Sequence, residues 1–218
     1  LAPQRQLEGY RSFESELEIL NKYFDGKPYI LEPTEENNLA DRWFIYQSFP
    51  KCQSKLTGSD QKIEIIMTEL DKKVMHQFFK GDFSNNEVTI SSGISDIMPS
   101  QKIDSYLFDP CGYSMNSISP TVPDLYSTIH ITPEAAFSYV SYECNLKTSS
   151  YQNILNKVLS VFKPNKFMVV VYAENDAQLK IEHPFSSQIN GFKRDGYSQL
   201  LFQNSARTVS CSRFSVAH

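Results

Sequence analysis

The chain has 218 residues, 40% hydrophobic, 13% aromatic and 21% charged, with a formal net charge of −4. That is enough apolar material for a buried core, and the wealth of Phe and Tyr favours strands. An acidic chain without a basic run is not built to neutralise phosphates, so no nucleic acid is expected as partner. The longest apolar run, Phe167 to Tyr172, falls far short of the roughly 20 residues that cross a bilayer, so no membrane span is expected.

Ser12 precedes Phe13, Leu17, Leu20 and Phe24 at helical spacing, which predicts an amphipathic helix over 13–24 with Ser12 as N-cap, ended by Gly26 and Pro28. Residues 32–39 are polar and turn-rich, and Trp43 to Tyr46 reads as a strand. The run Lys62 to Met67 predicts a strand with Lys62, Glu64 and Ile66 on one face and Ile63, Ile65 and Met67 on the other. Leu70, Val74 and Phe78 suggest a short helix, and the polar stretch 81–87 a surface loop. Residues 126–132 and 137–144 alternate with period two and predict a hairpin in which His130 shares a face with Thr128 and Thr132. Ser150 opens a second amphipathic helix that stops at Pro164; 167–172 is a strand, and 192–214 holds one or two more. This order predicts an α+β fold, one domain over 1–218, with helices covering one face of an antiparallel sheet.

Four cysteines without Cys-x-x-Cys spacing and four scattered histidines predict reduced thiols, a cytoplasmic setting and no metal site. The stretch FDPCGYSMN at 108–116 poses the sharper question: Cys111 is either a nucleophile in a turn or part of a tight bend between strands. Phe108, Cys111 and Ser114 precede a hairpin carrying His130, Glu134 and Glu143. Polar groups on a face rich in aromatics need partners, a hydroxyl near an imidazole can transfer a proton, and an exposed ring can stack on a heterocycle.

Five ordered blocks, EIIMTELD at 64–71, FDPCGYSMN at 108–116, TIHITPE at 128–134, FSYVSYECN at 137–145 and VFKPNKF at 161–167, together resemble eukaryotic S-adenosylmethionine decarboxylase. Past residue 175 the resemblance thins to GFKR at 191–194. It implies a part of a four-layer αββα sandwich with antiparallel β-sheets. It also implies a self-cleaving proenzyme whose pyruvoyl group, formed from a serine, makes a Schiff base with S-adenosylmethionine and draws off carbon dioxide for spermidine and spermine synthesis.

Carried over by resemblance, Phe108 stacks on the adenine and Glu134 holds the ribose hydroxyls, Ser114 and His130 serve self-processing, and Cys111 is not the catalytic cysteine. Asp60, Lys62, Glu64, Glu143 and Tyr172 match a buried acidic site that binds putrescine in animal members. Lys62 departs from the neutral hydroxyl residue found there: either its ammonium partly replaces the diamine, or it faces solvent. The Leu-Ser-Glu-Ser-Ser cleavage stretch is absent from these 218 residues, and the first residue is not Met. The expectation is therefore a C-terminal part of a decarboxylase, inactive alone and unstable without the N-terminal segment as its partner, with a homodimer as a candidate assembly of the whole protein. A catalytically dead paralogue that activates a working decarboxylase, and a noncatalytic sensor of S-adenosylmethionine or polyamine, are the alternatives.

Overall fold

Alternation along Gln61–Leu70 (β3) decides the architecture around it. Ile63, Ile65 and Met67 are wholly buried, while Lys62, Glu64, Ile66 and Thr68 stay partly exposed on the opposite side. A pleated strand of this pattern has one apolar face to cover and one polar face to offer. The computed structural model describes residues 12–32, 42–48, 60–174, 188–189, 191–202 and 207–217. Where composition suggests one domain, the contacts divide the chain into two compact units, 1–57 and 58–218.

In the first unit, helix α1 (Phe13–Tyr23) begins as its sequence predicts: the Ser15 amide donates to Ser12 Oγ at 3.2 Å, and Glu14 and Glu16 lie in the first turn. Gly26 and Pro28 do more than end this helix, since they belong to β1 (Gly26–Leu31), which pairs antiparallel with β2 (Trp43–Ser48). Pro28 is tolerated because a two-stranded ladder leaves each strand an open edge. Gly26 is required by space: a Cβ there would lie 2.6 Å from the Gln47 carbonyl oxygen. The Phe13 and Phe44 rings meet at 5.0 Å, and the Tyr46 hydroxyl donates to Asn21 Oδ1 at 2.9 Å. Apart from Glu32, the turn-rich stretch predicted over 32–39 lies outside the described residues.

The second unit is a nine-stranded antiparallel sheet. Its strands are β3, β4 (Lys102–Leu107), β5 (Tyr113–Ile118), β6 (Tyr126–Thr132), β7 (Tyr139–Cys144), β8 (Pro164–Glu174), β9 (Gln188–Ile189), β10 (Phe192–Leu201) and β11 (Arg207–Val216). Their order is β4-β5-β6-β7-β3-β8-β11-β10-β9. Because β7 and β8 both run antiparallel to the β3 between them, they point the same way, and the chain joins them through helix α5 (Gln152–Phe162). Helices α2 (Lys72–His76), α3 (Asn85–Ser91) and α4 (Ile94–Ile97) fill the β3 to β4 connection. Val74, Phe78, Val88, Ile97, Leu155 and Phe162 pack on the Ile63/Ile65/Met67 face, so the helices cover one side of the sheet as expected.

Several boundaries differ from expectation for local reasons. Tyr151, not Ser150, holds the N-cap position of α5, and Ser150 Oγ accepts from the Gln152 amide at 3.4 Å. Lys163 ends that helix in the left-handed conformation, and Pro164 opens β8. The polar stretch predicted as loop over 81–87 instead starts α3: the Glu87 amide donates to Ser84 Oγ while the Ser84 amide donates to Glu87 Oε2 at 2.8 Å, a capping box. The 192–214 region holds two strands, β10 and β11, paired as a hairpin with a register shift between Arg194 and Gly196. Ser84→Ala in the natural protein that carries this chain should cost about 1 kcal/mol, the usual worth of an N-cap hydroxyl. The check is a lower urea midpoint at unchanged slope.

Candidate functional site

The sheet face turned away from the helices carries the site, and strand register arranges it in rows. Ser114 on β5, His130 on β6, Ser141 on β7 and Ile66 on β3 are successive cross-strand partners. The next row, two residues along each strand and so roughly 7 Å away, runs Asn116, Thr128, Glu143, Glu64, Val170. A third row pairs Lys62 with Tyr172 and Ile118 with Tyr126. All these residues alternate with core residues such as Tyr113, Met115, Ile129, Tyr142 and Ile63, which pins the polar set to one side.

In the first row Ser114 Oγ lies 2.8 Å from His130 Nδ1. At that end of the sheet two turns stand side by side. The 108–112 turn is closed by the Phe108 amide on the Gly112 carbonyl at 2.8 Å and by the Gly112 amide on the Phe78 carbonyl at 2.9 Å. Gly112 has φ of +112°, a conformation that side chains other than glycine's strain to adopt. Phe108 is 43% exposed and meets Tyr106 edge to face at 4.9 Å. Ser114, expected in the turn with Phe108, is the second residue of β5.

Glu134 follows β6 in the second turn, near enough for its charge to act on the Cys111 thiol. Burial pushes the Cys111 pKa above its ordinary 9.0, and the Glu134 charge adds to the rise. The FDPCGYSMN stretch forms a tight bend between β4 and β5, in which Cys111 makes an isolated antiparallel bridge with Phe79.

The acidic rows are partly self-neutralised. Lys62 Nζ lies 3.0 Å from Glu143 Oε2 and 5.0 Å above the Tyr172 ring, so its ammonium turns into the cluster and not to solvent. The Tyr126 hydroxyl donates to Glu143 Oε1 at 2.5 Å. Glu64, directly opposite Glu143, is pushed above its ordinary 4.5 by burial first and by the Glu143 charge second, with Lys62 opposing. Burial and the nearby Glu64 charge raise Tyr172 to about 12. Asp60 stands apart from this group: it is exposed, and its partner is Lys147 at 3.9 Å. Tyr126 and Thr128 join the site without a motif of their own; the period-two pattern of YSTIHIT was their only signal.

Because Glu64 is raised in the folded state, it binds protons there that the unfolded chain has already lost. Its full contribution to stability is present below 4.5 and is lost as pH rises through the raised folded value. Glu64→Gln should therefore melt higher than the parent at pH 7, with the advantage fading as pH falls through the raised folded value and gone below 4.5, read by thermal melts across pH.

Comparison with known proteins places this geometry. The adenosylmethionine decarboxylase family matches residues 1–214. The S-adenosylmethionine decarboxylase proenzyme of Dictyostelium discoideum is 41% identical over 176 residues, covering 80% of this chain and 45% of that protein. The proenzyme of Xenopus laevis is 37% identical over 196 residues, covering 89% and 57%, and proenzyme 3 of Arabidopsis thaliana 33% identical over 226 residues, covering 96% and 63%. The chain thus spans about half the length of the curated relatives it matches. A crystal structure of the Trypanosoma brucei AdoMetDC-delta26 monomer has a TM-score of 0.73 at 22% identity and covers 99% of this chain and 80% of that one, which shows the shared fold. The family match over nearly the whole sequence settles the assignment: this chain belongs to the adenosylmethionine decarboxylase family.

Proposed function

We propose that the natural protein carrying this chain decarboxylates S-adenosylmethionine in the cytoplasm, and that this chain supplies its nucleoside-holding end and its self-processing pair. The observation that carries the reading is the Ser114–His130 contact of 2.8 Å, one row in from Phe108 and Glu134, in a member of this family. Phe108 offers an exposed ring for stacking on adenine, and Glu134 a carboxylate able to accept from two adjacent ribose hydroxyls.

The residues present fit a pyruvoyl group as neighbours: a hydroxyl bonded to an imidazole, near a carboxylate and an open ring, can bind and protonate a polar carbonyl compound. When bound, that group supplies the electron sink for loss of carbon dioxide. Its parent serine belongs to a stretch these 218 residues do not contain. His130 takes the proton that lets the cyclic ester intermediate of self-processing collapse, with Ser114 bonded to its Nδ1, and Phe108 and Glu134 hold substrate afterwards. Lys62 occupies the place of one diamine ammonium beside Glu143, so putrescine has less charge left to neutralise.

The test uses the natural protein, assayed by release of labelled carbon dioxide. Phe108→Ala should raise KM for S-adenosylmethionine roughly threefold to tenfold, the worth of one stacked ring. His130→Ala should leave the proenzyme uncleaved. Absence of both self-cleavage and decarboxylation in the parent would overturn the proposal. Putrescine should stimulate weakly, and strong stimulation would remove Lys62 from its assigned role.

A further inference from the structure

We propose that Thr128 is a positioning residue that holds the His130 ring as its Nε2–H tautomer, leaving the Nδ1 lone pair to accept the Ser114 hydrogen bond. The proposal rests on the self-processing reading of Ser114 and His130, and it adds a residue that neither the motifs nor the family resemblance singles out.

A hydroxyl has one proton to give and lone pairs with which to accept. Thr128 Oγ1 gives its proton to the Met115 carbonyl at 3.0 Å. Toward His130 Nε2, 3.4 Å away, it can then only accept, so the proton of that contact must sit on Nε2. A neutral imidazole carries one N–H, and Nδ1, 2.8 Å from Ser114 Oγ, is left as the acceptor. Ser114 therefore donates, and its hydroxyl proton points at the ring along the sheet face. In the opposite tautomer the Nε2 lone pair would face a Thr128 lone pair, and Ser114 would have to accept from Nδ1–H. The contact at 3.4 Å is long, so Thr128 biases the tautomer where a shorter bond would lock it.

Local structure explains why this hydroxyl is available. Thr128 and His130 are two apart on β6 and share a face, and β-branching restricts the Thr128 side chain. Met115 lies on β5, where its carbonyl is within reach of the Thr128 hydroxyl. Ser141, the neighbour of His130 on the other side, is engaged with Tyr139.

The experiment takes the natural protein labelled with 15N-histidine and reads the His130 tautomer from two-bond proton–nitrogen spectra at mildly alkaline pH, in the parent, Thr128→Val and Thr128→Ser. The parent should show Nε2–H. Thr128→Val should show a mixture and self-cleave roughly tenfold more slowly, the scale of one neutral hydrogen bond lost from a proton-transfer step, and Thr128→Ser should restore both. A parent with Nδ1–H, or a Thr128→Val protein that keeps the Nε2–H form whole, overturns the proposal. If Thr128→Val does not fold, the parent and Thr128→Ser spectra still decide it. If the parent never cleaves itself, the processing reading falls while the tautomer still reports on Thr128.

Discussion

Pairing of β3 with β7 sets Glu64 directly opposite Glu143, and much of the polar face can be understood as a response to that contact. Like charges facing each other across two strands are unfavourable, and burial makes them more so. Lys62 bends its ammonium onto Glu143, Tyr126 donates to the same carboxylate, and Tyr172 supplies an aromatic wall beneath the Lys62 charge. These contacts distribute the cost without removing it, since Glu64 still sits above its ordinary proton affinity. A carboxylate pair held in that state favours positive charge beside it, which Lys62 supplies.

The same sheet face changes character along its strands. At one end the 108–112 and 133–136 turns present an exposed ring and a carboxylate; one row in lies a hydroxyl bonded to an imidazole; beyond it come the acidic rows. An aromatic ring, a hydroxyl–imidazole pair and a charge-compensated acidic cluster therefore follow one another over a few strand residues. Tyr126, Thr128 and His130 alternate on β6, and Thr128 lies between the imidazole of the first row and Glu143 of the second.

Much of this was legible from residues alone. The alternation in KIEIIM separates Lys62 and Glu64 from Ile63 and Ile65 with no ambiguity, and YSTIHIT does the same for His130. Ser12 declares its helix. Ser84 and Glu87 form an equally clear capping signal, obscured because Gly81, Asp82 and Asn85 around them give the stretch the composition of a loop. Strand β4 was hidden because Lys102 and Asp104 lower its apparent strand character, and its pairing with β5 supplies the stability that propensity withholds. Pro28 reads as a terminator by composition, and only the free edge of a two-stranded ladder lets it sit in β1.

By itself the sequence determined the period-two and helical patterns, the separation of polar from apolar faces, and family membership, because these depend on residue identity at short spacing. Only the tertiary structure decided which faces meet. Lys62 could have pointed to solvent, and it meets Glu143 because residues 81 apart are paired by the β3–β7 ladder. Asp60 shares the strand parity of Lys62 and Glu64 yet stands in solvent beside Lys147, since the strand begins only after it. The Ser114–His130 contact likewise joins residues 16 apart that the β5–β6 ladder sets opposite each other. Spacing along the chain cannot encode such facts, because register between distant strands is set by the burial of whole faces and not by any one residue.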